Sequence, residues 1–402
     1  MCALRILHVV PYYEHAWAYG GIPRVATTLA RGLAERGHQV TVCTTDACDD
    51  RRRVCAPPTP HTGQGTLDVT VLSNFSNRLA YQWQLFAPVG LGRALRSFVG
   101  HIDVAHLHAC RNLPVAAAAR IFSRAGIPYV VSPHGTAPLI ERRFLAKQIF
   151  DATAGRGYLE GAARVLAVSE AERAQFQALG VADNRIAVLP NPIDLREFDP
   201  APDGARFRQR HGLGDAPLVL LLAKLTPRKG ADVALQAFEK VGHRDARFVI
   251  AGSDMGSGLT TEALKKSSRV MFVGLLEGRD RLDALAAANV VLYPSRHEVF
   301  GLVPLEALLC GSPVIVCNDS GAGEVIGRVG GGEVVPVDDV DSLAYAIASM
   351  LDVVSNASWR DRAHMAGRKV RQRFDADVIC ERLDAVYREV IDCSVAEGRR
   401  SA

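Results

Sequence analysis

No Cys-x-x-Cys pair occurs among the nine cysteines of the 402-residue sequence, and their odd number does not suit a closed disulfide framework. The opening MCALRILHVVPYY has no charged-then-apolar leader with a cleavage site, so a reducing, cytoplasmic setting is expected. Apolar runs are short. VVLYPS and LVLLLAKL close within one strand length, far below the roughly 18 residues that a membrane span requires, so no transmembrane segment is expected. There is no basic stripe interleaved with aromatics, which counts against a nucleic-acid partner. Gly20-Gly21 follows the first strand without Gly-x-Gly-x-x-Gly spacing, which counts against a dinucleotide-dependent dehydrogenase. Net charge is small at +4 but uneven: residues 1–190 carry 20 Lys and Arg against 13 Asp and Glu, and the remainder 27 against 30. A basic first half suits either a solvated face or contact with an anionic acceptor or membrane surface.

Hydrophobic residues make up 48% and charged residues 22% of the chain, as in ordinary soluble α/β enzymes, and the length calls for two domains. RILHVV, QVTVCTT, HIDVAHLH, IPYVVSPHG, ARVLAVS and RIAVLPNP are continuous apolar strands separated by helical stretches such as PRVATTLARGLAERG. That alternation predicts a parallel sheet covered on both faces. Periodicity stops at PNPIDLREFDPAPDG, where prolines and aspartates cluster as in a linker. It resumes with PLVLLLAKL, RFVIAGS, RVMFVG, VVLYPS, SPVIVC and GEVVPV, again separated by helices. The expected fold is α/β, two Rossmann-like doubly wound domains over 1–195 and 196–375. A last helix over 376–402 carries Val378, Ile379, Leu383, Val386, Tyr387 and Val390 on one stripe.

The most specific constellation is Glu298-Val299-Phe300-Gly301-Leu302-Val303-Pro304-Leu305-Glu306, between the strand VVLYPS and a helix ending near Gly311. A loop-to-helix junction at the carboxyl end of a strand is where doubly wound domains bind ligands. Glu298 falls in the loop and Glu306 one to two turns into the helix, so the two carboxylates reach different parts of one elongated ligand. Gly301 lets a ligand approach the backbone, and the first N–H groups of the helix, from Phe300 to Leu302 and Val303, suit phosphate or sugar oxygens. Lys224 and Lys229 flank Leu-Thr-Pro-Arg before a helix that begins near Gly230, so two cations and a helix N-terminus meet, as a diphosphate requires. Arg228, between them, is expected to be exposed. His106 and His108 share one strand face, but the sequence offers no third ligand and the pair is read as structural. Asp339-Val340-Asp341 and Asp375-Ala376-Asp377 each precede a helix and are read as N-caps rather than a metal motif.

The segment from Glu298 to Glu306 resembles the E-x7-E motif of the retaining glycosyltransferases of family 4, which have the GT-B fold of two Rossmann-like domains facing each other across a cleft. PNPIDLREFDP resembles that family's segment between the lobes, LAKLTPRKG its phosphate loop, and CGSPVIV its final donor-lobe strand. Where the family usually has Gly-Arg, this chain has Ala223-Lys224, which keeps the charge and loses the bidentate fork. The resemblance implies transfer of a hexose-type sugar from a UDP- or GDP-sugar to a glycan or lipid-linked acceptor, with retained configuration. No cofactor and no metal are then needed. It further implies that Glu306 takes the ribose hydroxyls, Glu298 the sugar hydroxyls, and Lys224 with Lys229 the diphosphate. Gly252 and Leu275 would line the nucleotide, His134 in SPHGT would contact the sugar, and Gly20-Gly21 would approach the phosphate or acceptor. The last helix would cross back to the first lobe. RNLPVAAAARIFSRAG and ERRFLAKQIF are basic and amphipathic, which suits either peripheral contact with the inner face of an anionic membrane or packing on the sheet. A same-fold sugar-phosphate synthase or phosphorylase and a non-catalytic sugar-nucleotide-binding scaffold are the alternatives.

Overall fold

Two parallel sheets organise the chain. The computed structural model describes residues 2–54, 63–137, 150, 157–254 and 267–401, the last five by backbone only. The chain divides into two compact units, Met1–Ile193 with Ala376–Ala402, and Asp194–Asp375.

In the first unit the strands are β1 (Arg5–Val9), β2 (Gln39–Thr45), β3 (Thr66–Leu72), β4 (Val104–His108), β5 (Tyr129–Ser132), β6 (Arg164–Ala167) and β7 (Ile186–Val188). Their order is β3-β2-β1-β4-β5-β6-β7, all parallel. β4 is buried along its whole length, as expected of a strand covered on both faces. β3 is absent from the strands expected above. It is an edge strand whose residues alternate between exposed and half-buried, so it lacks the continuous apolar run that marks the others. The helix Leu113–Arg124, capped by the Asn112 side chain, turns Val115, Ala118, Ala119 and Phe122 into the core. The amphipathic stretch 111–126 therefore packs on the unit's own interior, while ERRFLAKQIF lies outside the described residues except for Phe150. The last helix, Ala376–Ser401, lies against the helix Gly21–Glu35. Gly32 makes room for it, since a Cβ there would sit 2.6 Å from Cys380 Sγ. Among the described residues, no helix is long and apolar enough to cross a membrane.

The second unit holds β8 (Leu218–Leu222), β9 (Arg247–Ala251), β10 (Val270–Gly274), β11 (Val290–Tyr293), β12 (Val314–Cys317) and β13 (Gly332–Val335), ordered β10-β9-β8-β11-β12-β13 and parallel throughout. Both sheets therefore reverse direction once. The chain leaves β8 toward β9 on one side, and leaves β11 toward β12 on the other. β1 and β4 form the equivalent pair in the first unit. Outside the carboxyl ends of such a pair the two following loops diverge and open a crevice, the usual ligand position of doubly wound sheets.

Candidate functional site

At the reversal in the second unit, the loops after β8 and β11 are held together by a glycine. Gly230 has φ +65°, and a Cβ there would meet the Pro294 carbonyl oxygen at 2.2 Å. No other residue lets the turn Pro227–Lys229 lie against the end of β11. That approach places Lys229 Nζ 2.8 Å from Tyr293 Oη and in an ion pair with Glu298 Oε2, while the Tyr293 hydroxyl donates to the same carboxylate oxygen at 3.0 Å. Arg296 fastens the two loops from the other side. It donates to the Pro227 carbonyl at 2.5 Å and pairs with Asp338 at 2.6 Å, and its own N–H reaches the Arg228 carbonyl at 2.8 Å.

The electrostatics of this cluster follow from burial and proximity. Burial alone would raise the Glu298 carboxyl, but the charges of Lys229 and Arg228 with hydrogen bonds from Lys229 and Tyr293 hold it down at about 2. Burial opposes the Lys229 charge, yet Glu298 outweighs it and the ammonium is held above its ordinary value. Burial pushes the Tyr293 phenol up to about 12, so it stays a donor. Arg228, expected to be exposed, is half-buried and its charge acts on Glu298. A charged carboxylate and a charged ammonium thus stand ready at the end of β11, each able to exchange its partner for a ligand.

Glu306 is placed differently from an open helix carboxylate. It is 1% exposed and pairs with Arg281, whose other nitrogen donates to Glu197 at 2.7 Å. Glu298 and Glu306 are thus held by separate cations. Phe300 is 2% exposed with its ring edge-on to Phe374 at 5.7 Å, so its side chain belongs to the core and leaves only its backbone for a ligand. Gly301 has φ +80° and is the N-cap of the helix Leu302–Leu309, with no side-chain cap. The helix Ala231–Lys240 begins in the same way at Gly230, whereas Ser320, Asp339 and Asp352 cap the starts of later helices with their side chains. Both helix starts at the reversal therefore leave their first N–H groups without a side-chain acceptor.

Gly252 has a packing reason of its own: with φ +140°, a Cβ there would lie 1.7 Å from the Ala223 carbonyl oxygen. Lys224 is half-buried two residues past β8, and Leu275 is 41% exposed just beyond β10. In the first unit, Gly20 (φ +98°) precedes the helix Gly21–Glu35, which follows β1 at that sheet's reversal. His134 lies two residues past β5 with φ +52°, and burial pushes its imidazole down to about 4. His106 and His108 do have a third histidine beside them. His8, the register partner of His106 on β1, is equally buried, and the separation in sequence hid it. Tyr293, Arg281 and Arg296 escaped the sequence reading as well, because a strand tyrosine and helix or loop arginines carry no motif.

Residues 19–197 match the family description Glycosyltransferase Family 4, and residues 203–370 match Glycosyl transferases group 1. The chain belongs to glycosyltransferase family 4. As a family 4 glycosyltransferase it is 29% identical to D-inositol 3-phosphate glycosyltransferase of Kineococcus radiotolerans, over 98% of this chain and 96% of that protein. It is 27% identical to phosphatidyl-myo-inositol mannosyltransferase of Mycobacterium tuberculosis, over 96% and 97% respectively. Among solved structures, sucrose-phosphate synthase from Thermosynechococcus elongatus aligns with TM-score 0.76 at 22% identity, covering 97% of this chain and 100% of that one. Anabaena HepE in complex with UDP-glucose aligns with TM-score 0.71 at 18% identity, covering 96% and 100%. These likenesses establish the GT-B fold for the two sheets described above.

Proposed function

We propose that this glycosyltransferase moves a hexose from a nucleoside-diphosphate sugar, a UDP- or GDP-sugar, to a glycan or lipid-linked acceptor with retention of configuration and without a metal. The observation that carries the reading is the Lys229–Tyr293–Glu298 cluster at the reversal of the second sheet, beside two helix starts that lack side-chain caps. Lys229, Lys224 and those N–H groups take the diphosphate, whose charge grows as the glycosidic bond breaks. Glu298 reads the sugar hydroxyls and Glu306 the ribose, Gly252 and Leu275 flank the nucleotide, and His134 contacts the sugar. The charge of the leaving phosphate is met by fixed cations, which is why no metal is invoked. The names of the relatives make a phosphorylated inositol, free or in a lipid, the first acceptor to try. Peripheral contact with an anionic membrane belongs to this reading. Its support is the exposed Phe75, Trp83, Leu85 and Val89 in a stretch from 69 to 102 that holds three arginines and no acidic residue.

Attack on the same face as the leaving phosphate needs no enzyme nucleophile, so neither glutamate is assigned that role, unlike the paired carboxyl groups of a glycosidase. The test is the proton spectrum of the product formed from an α-linked donor. An α-linked product is expected, and a β-linked product would remove retention from the account.

A further inference from the structure

Four imidazoles gather at the carboxyl ends of β1, β4 and β5. His8 and His106 are register partners, His108 follows two residues later on the same face, and His134 lies just past β5. Three of them form a chain. His8 Nδ1 is 2.9 Å from His108 Nε2, and His108 Nδ1 is 3.1 Å from His134 Nε2. The rings of His108 and His134 are parallel to within 4° at 5.4 Å. His106 stands outside the chain, with Nδ1 2.7 Å from the Tyr387 hydroxyl and Nε2 2.7 Å from the Ser132 hydroxyl.

A neutral imidazole has one donor and one acceptor nitrogen. Burial pushes all four rings below their ordinary range, His8 to about 3 and His134 to about 4, so they are neutral at physiological pH. The three chain members must then be ordered in one direction. If His8 donates from Nδ1, His108 accepts at Nε2 and donates from Nδ1, and His134 accepts at Nε2 and carries its proton on Nδ1. The reverse order leaves an N–H on His8 Nε2, which is buried and has no hydrogen-bond partner among the described residues. An orphaned buried N–H is the less tolerated end. The first order leaves its N–H on His134 Nδ1, which also has no hydrogen-bond partner among the described residues, but His134 is half-buried in the loop past β5 whereas His8 is fully buried within the sheet, so only at this end can a ligand meet the free N–H. That difference in setting selects the first order.

A metal ion is a poorer occupant. Nitrogens of His8, His106 and His108 lie within 4.8 Å of one another. However, His8 and His108 already bond each other, hydroxyls engage both nitrogens of His106, and only other histidines act electrostatically on the three rings. A divalent charge would be buried there with no carboxylate among the described residues acting on the three rings to offset it.

We infer that His8 and His108 are positioning residues that lock His134 as its Nδ1–H tautomer, so that His134 offers a fixed hydrogen-bond donor to the substrate. The catalytic part of this inference rests on the reading of His134 as a sugar contact. Two readouts separate the parts. In the full chain carrying ¹⁵N-imidazole histidine, with His134 assigned through His134→Gln, long-range proton–nitrogen spectra report which nitrogen holds the proton. Nδ1–H is expected in the parent protein, drifting toward Nε2–H in His108→Leu and restored in His108→Asn, whose amide stands where the His108 Nδ1–H stood. A parent His134 protonated on Nε2 would overturn the relay, as would stoichiometric zinc that is lost in His8→Gln. In parallel, His108→Leu should lower kcat by about ten- to a hundredfold with donor KM little changed, and His108→Asn should recover most of it. The expected tautomers with an unchanged kcat would uphold the relay and overturn the reading of His134 as a sugar contact.

Discussion

Replacing Lys229 with alanine is expected to lower kcat/KM for sugar transfer by about a thousandfold, the scale of losing one preorganised electrostatic contact to a developing charge. Two losses combine. In the proposed reading the diphosphate loses a cation held by the close approach of Gly230 to Pro294, and the Glu298 carboxylate keeps the Tyr293 hydroxyl but loses its ion-pair partner. Burial, now opposed by less positive charge, should carry Glu298 well above the value near 2 that it has beside Lys229. Lys229→Arg should restore part of the rate, because charge returns without the fit to Tyr293 and Glu298. Steady-state kinetics on the three proteins checks this, and a Lys229→Ala enzyme within a few-fold of the parent would remove Lys229 from the reaction.

The second large effect concerns stability. Arg281→Met should destabilise the second unit by about 3–5 kcal/mol, the usual consequence of leaving a buried charge without its partner. Glu306 is the charge left behind, at 1% exposure, and Glu197 loses its bond to the same guanidinium. The double variant Arg281→Met, Glu306→Leu should recover much of the loss, since no charge is then stranded. Denaturant unfolding measures both. Equal losses in the single and double variants would mean that the pair does not act as a unit. Nucleotide binding offers a separate readout, because in the proposed reading Glu306 takes the ribose hydroxyls while Arg281 only holds it in place.

How much of this was legible in the sequence depended on how local each signal was. The parallel sheets showed in continuous strands such as LVLLL and VAHLH, which water cannot reach from either face. β3 did not, since an edge strand with half-exposed residues such as Asp68 carries no such run. Asp339 was readable as a cap, and its side chain accepts from the Ser342 N–H. The pairing of Glu298 with Lys229 depends on two loops meeting, and Tyr293 looked like one more strand hydrophobe until its hydroxyl was placed between them. Glu306 looked like a helix carboxylate open to a ligand, because its partner Arg281 sits on another helix and no periodicity links the two. Gly252 read as a ligand-facing glycine, and its further packing reason, the close approach of the Ala223 carbonyl, depends on a neighbouring strand end that the local sequence does not reveal. His8 is separated from His106 by two intervening strands of sequence and adjoins it only through the strand order.

The claim on which the rest depends is that the second unit binds a nucleoside-diphosphate sugar through Lys229 and Glu306. Calorimetric titration of UDP- and GDP-sugars into the parent chain, with chelator present, tests it most directly. One donor should bind with Kd in the range of about 1 μM to 1 mM typical of enzyme substrates. Glu306→Gln should weaken it about ten- to a hundredfold, the scale of a hydrogen bond to a charged group. Absence of binding by every such donor, or equal affinity in Glu306→Gln and Lys229→Ala, would contradict the account.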